Sequence, residues 1–258
     1  MKRLLTFISL FFSLKAMGQN PDFKGKKLHL YLLVGQSNMA GRGDPEPVDR
    51  TPHPRIWMLN KENRWVPAVA PMHFDKPVAG VGPGQAFANV MAEADTSVII
   101  GLIPAAVGGS AIDSWQPGGY HDQTKSYPYD DALRRAKAAL PAGTLKGILW
   151  HQGESDSKPE LVQSYTQKLE TLIGRFRKEL SARNVPFVVG TLGDFFVVNN
   201  PDAKNINEQL RQLPKKVKRT ACVEATGLTD KGDKTHFDTS SARELGRRYA
   251  EAMKKFLK

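Results

Sequence analysis

Cysteine is nearly absent from this chain. The one thiol among its 258 residues, Cys222, excludes an internal disulfide, and a chain of this length can bury a full core without such a staple. Cys222 lies in an apolar run, TACVEA, and reads as a small buried hydrophobe rather than a nucleophile. Long apolar runs are missing as well. None approaches the roughly 20 residues a membrane-spanning helix needs, so no stable membrane insertion is expected. Acidic residues are outnumbered, 26 against 37 basic ones, for a net charge of +11. The basic clusters at Lys24–Lys27, at Lys215–Arg219 and along the last helix lack interleaved aromatics. That argues against a nucleic-acid surface and for a solvated face. There is no internal repeat and no low-complexity segment.

What is present begins with a leader. Lys2 and Arg3 precede the apolar block Leu4–Leu14, and small residues follow at Ala16 and Gly18. This is the pattern of a secretory signal peptide, residues 1–18, cleaved after Gly18, which places the remainder, residues 19–258, outside the cytoplasm as a secreted or periplasmic protein. That remainder is expected to be one domain.

Five apolar runs alternate with helical patterns: Leu28–Val34, Ser97–Val107, Leu145–Trp150, Val185–Leu192 and Thr220–Ala225. Helix-like segments lie at Gln85–Ala94, Asp130–Leu140, Leu161–Asn184, Asp202–Leu213 and Ser240–Lys258. Such alternation builds βαβ units and an α/β/α sandwich around a parallel sheet of about five strands. A long insertion, Asp44–Gly84, follows the first strand. It carries Trp57, Trp65, His73 and Phe74, which suit either sugar stacking or a core.

The chemistry-bearing residues fall just after the strands. Ser37 follows the first, Gly108-Gly109-Ser110 the second, His151-Gln152-Gly153-Glu154 the third, Asp194 the fourth, and Asp233-Lys234-Thr235-His236 the fifth. The carboxyl ends of parallel strands share one edge, so these distant residues converge there. A serine hydroxyl needs a base within hydrogen-bond reach. His236 sits in a short polar loop and is the candidate base. Asp233, three residues earlier, can orient it, and Glu154 is a second carboxylate that could do so. Developing charge on a carbonyl oxygen needs preorganised donors. Those available by position are the Ser37 amide, an amide of Gly108-Gly109 and the Gln152 side chain. In isolation a Gly-x-Ser is more often a helix cap and a lone histidine more often structural. The combination carries the reading. His121, His151, Glu154 and Asp156 match no familiar metal-ligand spacing, so no metal and no cofactor is expected.

The blocks GQSNMAG, GGSAIDSW, WHQGESD and DKTHFD, in this order over nearly the whole chain after the leader, resemble the SGNH hydrolase superfamily. Within it they are similar to the branch containing sialate O-acetylesterase domains and carbohydrate esterase family six, the acetylxylan esterases. The resemblance implies a flavodoxin-like three-layer fold and a metal-free serine esterase acting on acetylated oligo- or polysaccharides. It implies Ser37 as nucleophile, His236 as base, and Gly109 and Gln152 as oxyanion donors, with Gln152 in place of the asparagine usual in the superfamily. Members of the branch have been assigned either the acid before the histidine or the glutamate of the HQGE block as third triad member. Both exist here, and Asp233 is favoured because its proximity in sequence constrains its geometry. Two rival readings remain at this stage: a lipid or aryl esterase of the same superfamily, and a non-catalytic carbohydrate-binding module on this fold.

Overall fold

The computed structural model describes residues 23 and 25–257. The expected signal peptide, residues 1–18, lies outside them. All five apolar runs form strands: β1 Leu28–Gly35, β4 Ile99–Pro104, β5 Thr144–His151, β6 Phe187–Gly190 and β7 Thr220–Val223. Two more strands, β2 Ile56–Leu59 and β3 Trp65–Pro67, come from the insertion. The sheet therefore has seven strands rather than five, in the order β3-β2-β4-β1-β5-β6-β7. β2 runs parallel to β4, with Ile56, Trp57 and Met58 opposite Ile100, Gly101 and Leu102. β3 folds back antiparallel on β2 and forms the edge.

Each strand near the centre is apolar on both sides because both faces are covered. Along β1, Leu28, Leu30, Leu32 and Val34 enter one core, and the alternate residues Tyr31 and Leu33 enter the other. The period of two is that of a pleated strand. The first core is closed by α3 Pro128–Ala139, α4 Pro159–Glu179 and α6 Ala203–Lys216. The second is closed by α2 Pro83–Ala94 and α7 Thr239–Lys254, through residues such as Phe87, Met91, Leu245 and Tyr249. Helices on both faces give the three layers. Two short helices complete the set, α1 Ser37–Ala40 directly after β1 and α5 Asp194–Asn199 after β6.

β1 lies at the centre with β4 on one side and β5 on the other. The chain leaves β1 toward β4 and later crosses back to β5. That reversal opens a crevice at the carboxyl ends of these strands, where open α/β sheets bind ligands.

Of the two roles open to the insertion's aromatics, packing accounts for most of them. Trp65 packs into the first core and Trp57 against it, His73 is buried, and Phe74 stacks under the Arg135 guanidinium at 4.6 Å. Trp57 and Trp65 thus serve the core beside β2 and β3, His73 accepts Ala106 N just after β4, and Phe74 alone of the four is exposed. No helix among the described residues is long and apolar enough to cross a membrane.

Candidate active site

Gly35 ends β1 with φ +129°, and a Cβ there would collide with the His151 carbonyl. Only glycine lets the chain turn so closely past β5. The turn places Ser37 at the start of α1, 5% exposed at the mouth of the crevice. The histidine arrives from the opposite end of the chain. His236 lies in the loop before α7, whose first turn is capped by the Asp238 side chain accepting from Ser241 N at 2.7 Å. Phe237 is buried against Phe195 and His151, and Lys231 N donates to His236 O at 2.9 Å. Held this way, His236 Nε2 stands 3.0 Å from Ser37 Oγ.

Asp233 completes the chain of contacts. Its Oδ2 lies 2.7 Å from His236 Nδ1, and its Oδ1 accepts the backbone N–H groups of Thr235 at 2.9 Å and His236 at 2.8 Å. Partial burial pushes this carboxyl upward, but the hydrogen bonds from His236 and Thr235 outweigh it and hold Asp233 below the usual carboxylate range. An ionised carboxylate only accepts, so Nδ1 carries the ring proton and Nε2 is left to accept from the serine hydroxyl.

Glu154 occupies a different position. It makes its hydrogen bond to Asn38 Nδ2, at 2.6 Å from Oε1, and its Oε2 is buried without a partner. Burial is the main reason its carboxyl is pushed up to about 7; the bond from Asn38 opposes the rise and nearby Asp156 adds to it. The structure thus brings Ser37, His236 and Asp233 into one line and keeps Glu154 beside that line.

The Gly109 turn sits opposite. Asp75 of the insertion receives Gly108 N at 2.8 Å and the Arg42 guanidinium at 2.7 Å, which pins the loop after β4. Gly109 follows with φ +84°. Among the described residues neither its N–H nor that of Ser37 donates to another backbone or side-chain group, so both are free for a ligand oxygen.

Gln152 requires a correction. It is completely buried, and its Nε2 donates to Asp156 Oδ2 at 2.5 Å, Ser110 O at 3.1 Å and Gln36 Oε1 at 3.2 Å. Two amide hydrogens already face three acceptors, and none remains for an oxyanion. The side chain braces the floor of the site from below. His151 is likewise internal. Tyr249 donates its hydroxyl to Trp150 O and therefore accepts from His151 Nδ1. Burial lowers this histidine to about 3, leaving it neutral. Asp194 belongs to α5 and receives Gly227 N, away from the crevice. The Cys222 thiol is pushed up to about 12, first by burial and then by Glu224.

The resulting depression is open and holds about 400 Å³. Ser37, His236, Gly109 and Glu154 share its wall with the cations Arg42 and Lys76, and Val78 and Phe196 supply apolar patches. A larger groove of about 880 Å³ lies at the amino ends of β5, β6 and β7, near Thr144, Pro186 and Arg219, and contains no nucleophile–base pair. Sequence reasoning missed Asn38, Arg42, Asp75 and Lys76. Asn38 and Arg42 stand inside the GQSNMAGRG block that drew attention to Ser37, whereas nothing local distinguishes Asp75 or Lys76. Among the described residues no three His, Cys, Asp or Glu side chains cluster as a metal-ligand set.

Comparison with known proteins identifies the family and the fold. A family model described as carbohydrate esterase, sialic acid-specific acetylesterase, matches residues 27–255. A probable carbohydrate esterase from Arabidopsis thaliana is 33% identical over 247 residues, covering 86% of this chain and 89% of the relative. A crystal structure from Arabidopsis thaliana superposes with a TM-score of 0.79 at 30% identity, covering 88% of this chain and 98% of that one. The crystal structure of NanS superposes with a TM-score of 0.73 over 90% of this chain and 98% of its own, at 20% identity, a likeness of fold.

Proposed function

The chain belongs to the carbohydrate esterases of the sialic acid-specific acetylesterase family, and from that premise we propose that it is an exported serine acetylesterase that removes acetyl groups from glycans. The observation that carries this reading is the 3.0 Å approach of His236 Nε2 to Ser37 Oγ, with Asp233 on the far side of the ring. His236 takes the hydroxyl proton as Ser37 Oγ attacks the acetyl carbonyl carbon. The negative charge that forms on the carbonyl oxygen is met by the Ser37 and Gly109 N–H groups. His236 then returns the proton to the departing sugar oxygen, and the acetyl group stays on Ser37. A water molecule, deprotonated by the same histidine, attacks the acetyl-serine. Acetate leaves and Ser37 Oγ recovers its proton.

Three features support the finer parts of the reading. Val78 and Phe196 supply only small apolar patches in the depression, which suits a short acyl group. Arg42 and Lys76 at its wall suit a polar leaving group better than a long apolar chain. The basic-then-apolar stretch Lys2–Leu14 supports export. The test is acetate release from acetylated sialic acid and from acetylated xylan, by the full chain and by Ser37→Ala. One of the two glycans should be deacetylated, and Ser37→Ala should lower kcat by about 10³-fold or more without altering the fold. A variant keeping over a tenth of the activity overturns the serine mechanism.

A further inference from the structure

Resting on the reading of Ser37 and His236 as nucleophile and base, we propose that Asn38 is a positioning residue for the reaction, its side chain clamping the His236 loop to the turn that carries Ser37 while Glu154 anchors the clamp. The carboxamide of Asn38 is 4% exposed and adjoins the nucleophile in the chain. Its Oδ1 accepts Phe237 N at 3.1 Å, and its Nδ2 donates to Thr235 O at 3.0 Å. One side chain therefore holds the residue before His236 and the residue after it. The second Nδ2 hydrogen goes to Glu154 Oε1 at 2.6 Å. Both amide hydrogens and the oxygen are thus used, each by a group of the right polarity.

The chemistry gives this clamp its importance. The two segments it joins are 199 residues apart in sequence, and the proton transfer between them depends on one 3.0 Å contact. The other direct bonds between these segments attach farther from the ring: Lys231 Nζ to Arg42 O at 3.0 Å and Thr239 Oγ1 to Asp44 O at 2.8 Å. Among the described residues, Asn38 alone bonds to the immediate neighbours of His236 on both sides. Glu154 contributes an acceptor that obliges the NH2 end of the amide to face it, which leaves Oδ1 for the Phe237 N–H. This gives Glu154 a role that does not involve the imidazole. Displacing a catalytic pair by about 1 Å costs on the order of 10² in rate, and loss of the clamp acts on that displacement, leaving the wall that binds the sugar in place.

The experiment uses the full chain, a small chromogenic acetyl ester for kcat and KM, a fluorophosphonate probe for the rate of Ser37 labelling, and thermal melting. Asn38→Ala should lower kcat and the labelling rate together by roughly 10²-fold with KM changed less than about threefold. Asn38→Asp places a second carboxylate against Glu154 and loses both donors, so it should fall at least as far. Adding Glu154→Gln to Asn38→Asp restores a donor–acceptor pair of reversed polarity and should recover at least tenfold of that loss. If Asn38→Ala does not fold, this reversal against Asn38→Asp alone decides. Normal kcat in Asn38→Ala overturns the clamp, as does a loss confined to KM or a failure of the reversed pair to recover. Ser37→Ala run alongside separates the failures. Residual activity there refutes the nucleophile and with it the clamp, whereas an inactive Ser37→Ala beside a fully active Asn38→Ala refutes the clamp alone.

Discussion

Replacing Asp233 with asparagine changes one atom's chemistry and almost nothing of the loop. The carboxylate has two separate duties. Oδ1 receives the backbone N–H groups of Thr235 and His236 at 2.9 and 2.8 Å, and an asparagine oxygen can keep both. Oδ2 receives the ring proton on His236 Nδ1 at 2.7 Å, and the NH2 of asparagine cannot. It donates instead, so the ring must turn an unprotonated Nδ1 toward it and carry its hydrogen on Nε2, 3.0 Å from Ser37 Oγ. The base then presents a proton to the group it should deprotonate. A wrong-tautomer histidine costs about 10³–10⁴ in kcat, as the aspartate-to-asparagine change in the serine protease triad does, which is about 4–5.5 kcal/mol of transition-state stabilisation. Glu154→Gln is the matched control. It keeps Oε1 as acceptor for Asn38 and has no bond to the ring to lose, so kcat should stay within about tenfold of the parent, leaving the two variants at least about 10² apart. The assay is steady-state hydrolysis of an acetyl ester together with melting curves, which should show both variants folded. A larger loss in Glu154→Gln than in Asp233→Asn refutes the assignment and transfers the orienting role to Glu154.

Gln152→Ala should act on stability, because it strips the Asp156 carboxylate and the Ser110 carbonyl of a buried donor. Urea unfolding should show a loss of about 1–3 kcal/mol, and a variant of unchanged stability with kcat lowered 10²-fold would restore the oxyanion role. Glu154, held up at about 7 against an ordinary 4.5, binds its proton more tightly in the folded chain. The stability it contributes is complete below about pH 4.5 and is lost as pH rises through about 7. Urea midpoints between pH 4.5 and 8 should therefore decline more steeply for the parent than for Glu154→Gln, and parallel curves would refute the shift. Across acetyl, butyryl and octanoyl esters, kcat/KM should fall with chain length because the depression offers a longer chain only the small apolar patches at Val78 and Phe196 beside Arg42 and Lys76; a preference for octanoyl would favour a lipid esterase.

The sequence made the parallel sheet legible where burial on both faces forces unbroken apolar runs, as in LYLLVG of β1 and GILW of β5. It hid β2 because Ile56–Leu59 is four residues long and stands among Pro52, Pro54 and Pro67. Its strand character comes from lying alongside β4, which is a long-range fact. α5 was hidden for a similar reason, being six mostly apolar residues, DFFVVN, that lengthen no periodic pattern. At the site, Asp233 and His236 were readable together because three residues of spacing fix their geometry. Gln152 was misread because an amide after a strand looks the same whether it points into the crevice or sideways. Its actual partner, Asp156, is four residues on, close enough to have raised the question. Asn38 had no such cue, since two of its partners lie 197 and 199 residues away.

The distance in sequence between Ser37 and His236 orders the life of the molecule in time. A ribosome makes the serine first and the histidine 199 residues later, an interval of about 10–40 s at 5–20 residues per second. Throughout that interval the serine is an ordinary alcohol, with no base and no finished crevice, and it can attack nothing. The last strand and the last helix must be in place before the first turn of the chain becomes reactive. On the proposed mechanism, any truncation that stops short of residue 236 leaves a protein that cannot carry out the reaction however well its first half has formed. On that mechanism hydrolytic activity reports on the completion of the whole chain, which makes it a sensitive gauge of folding.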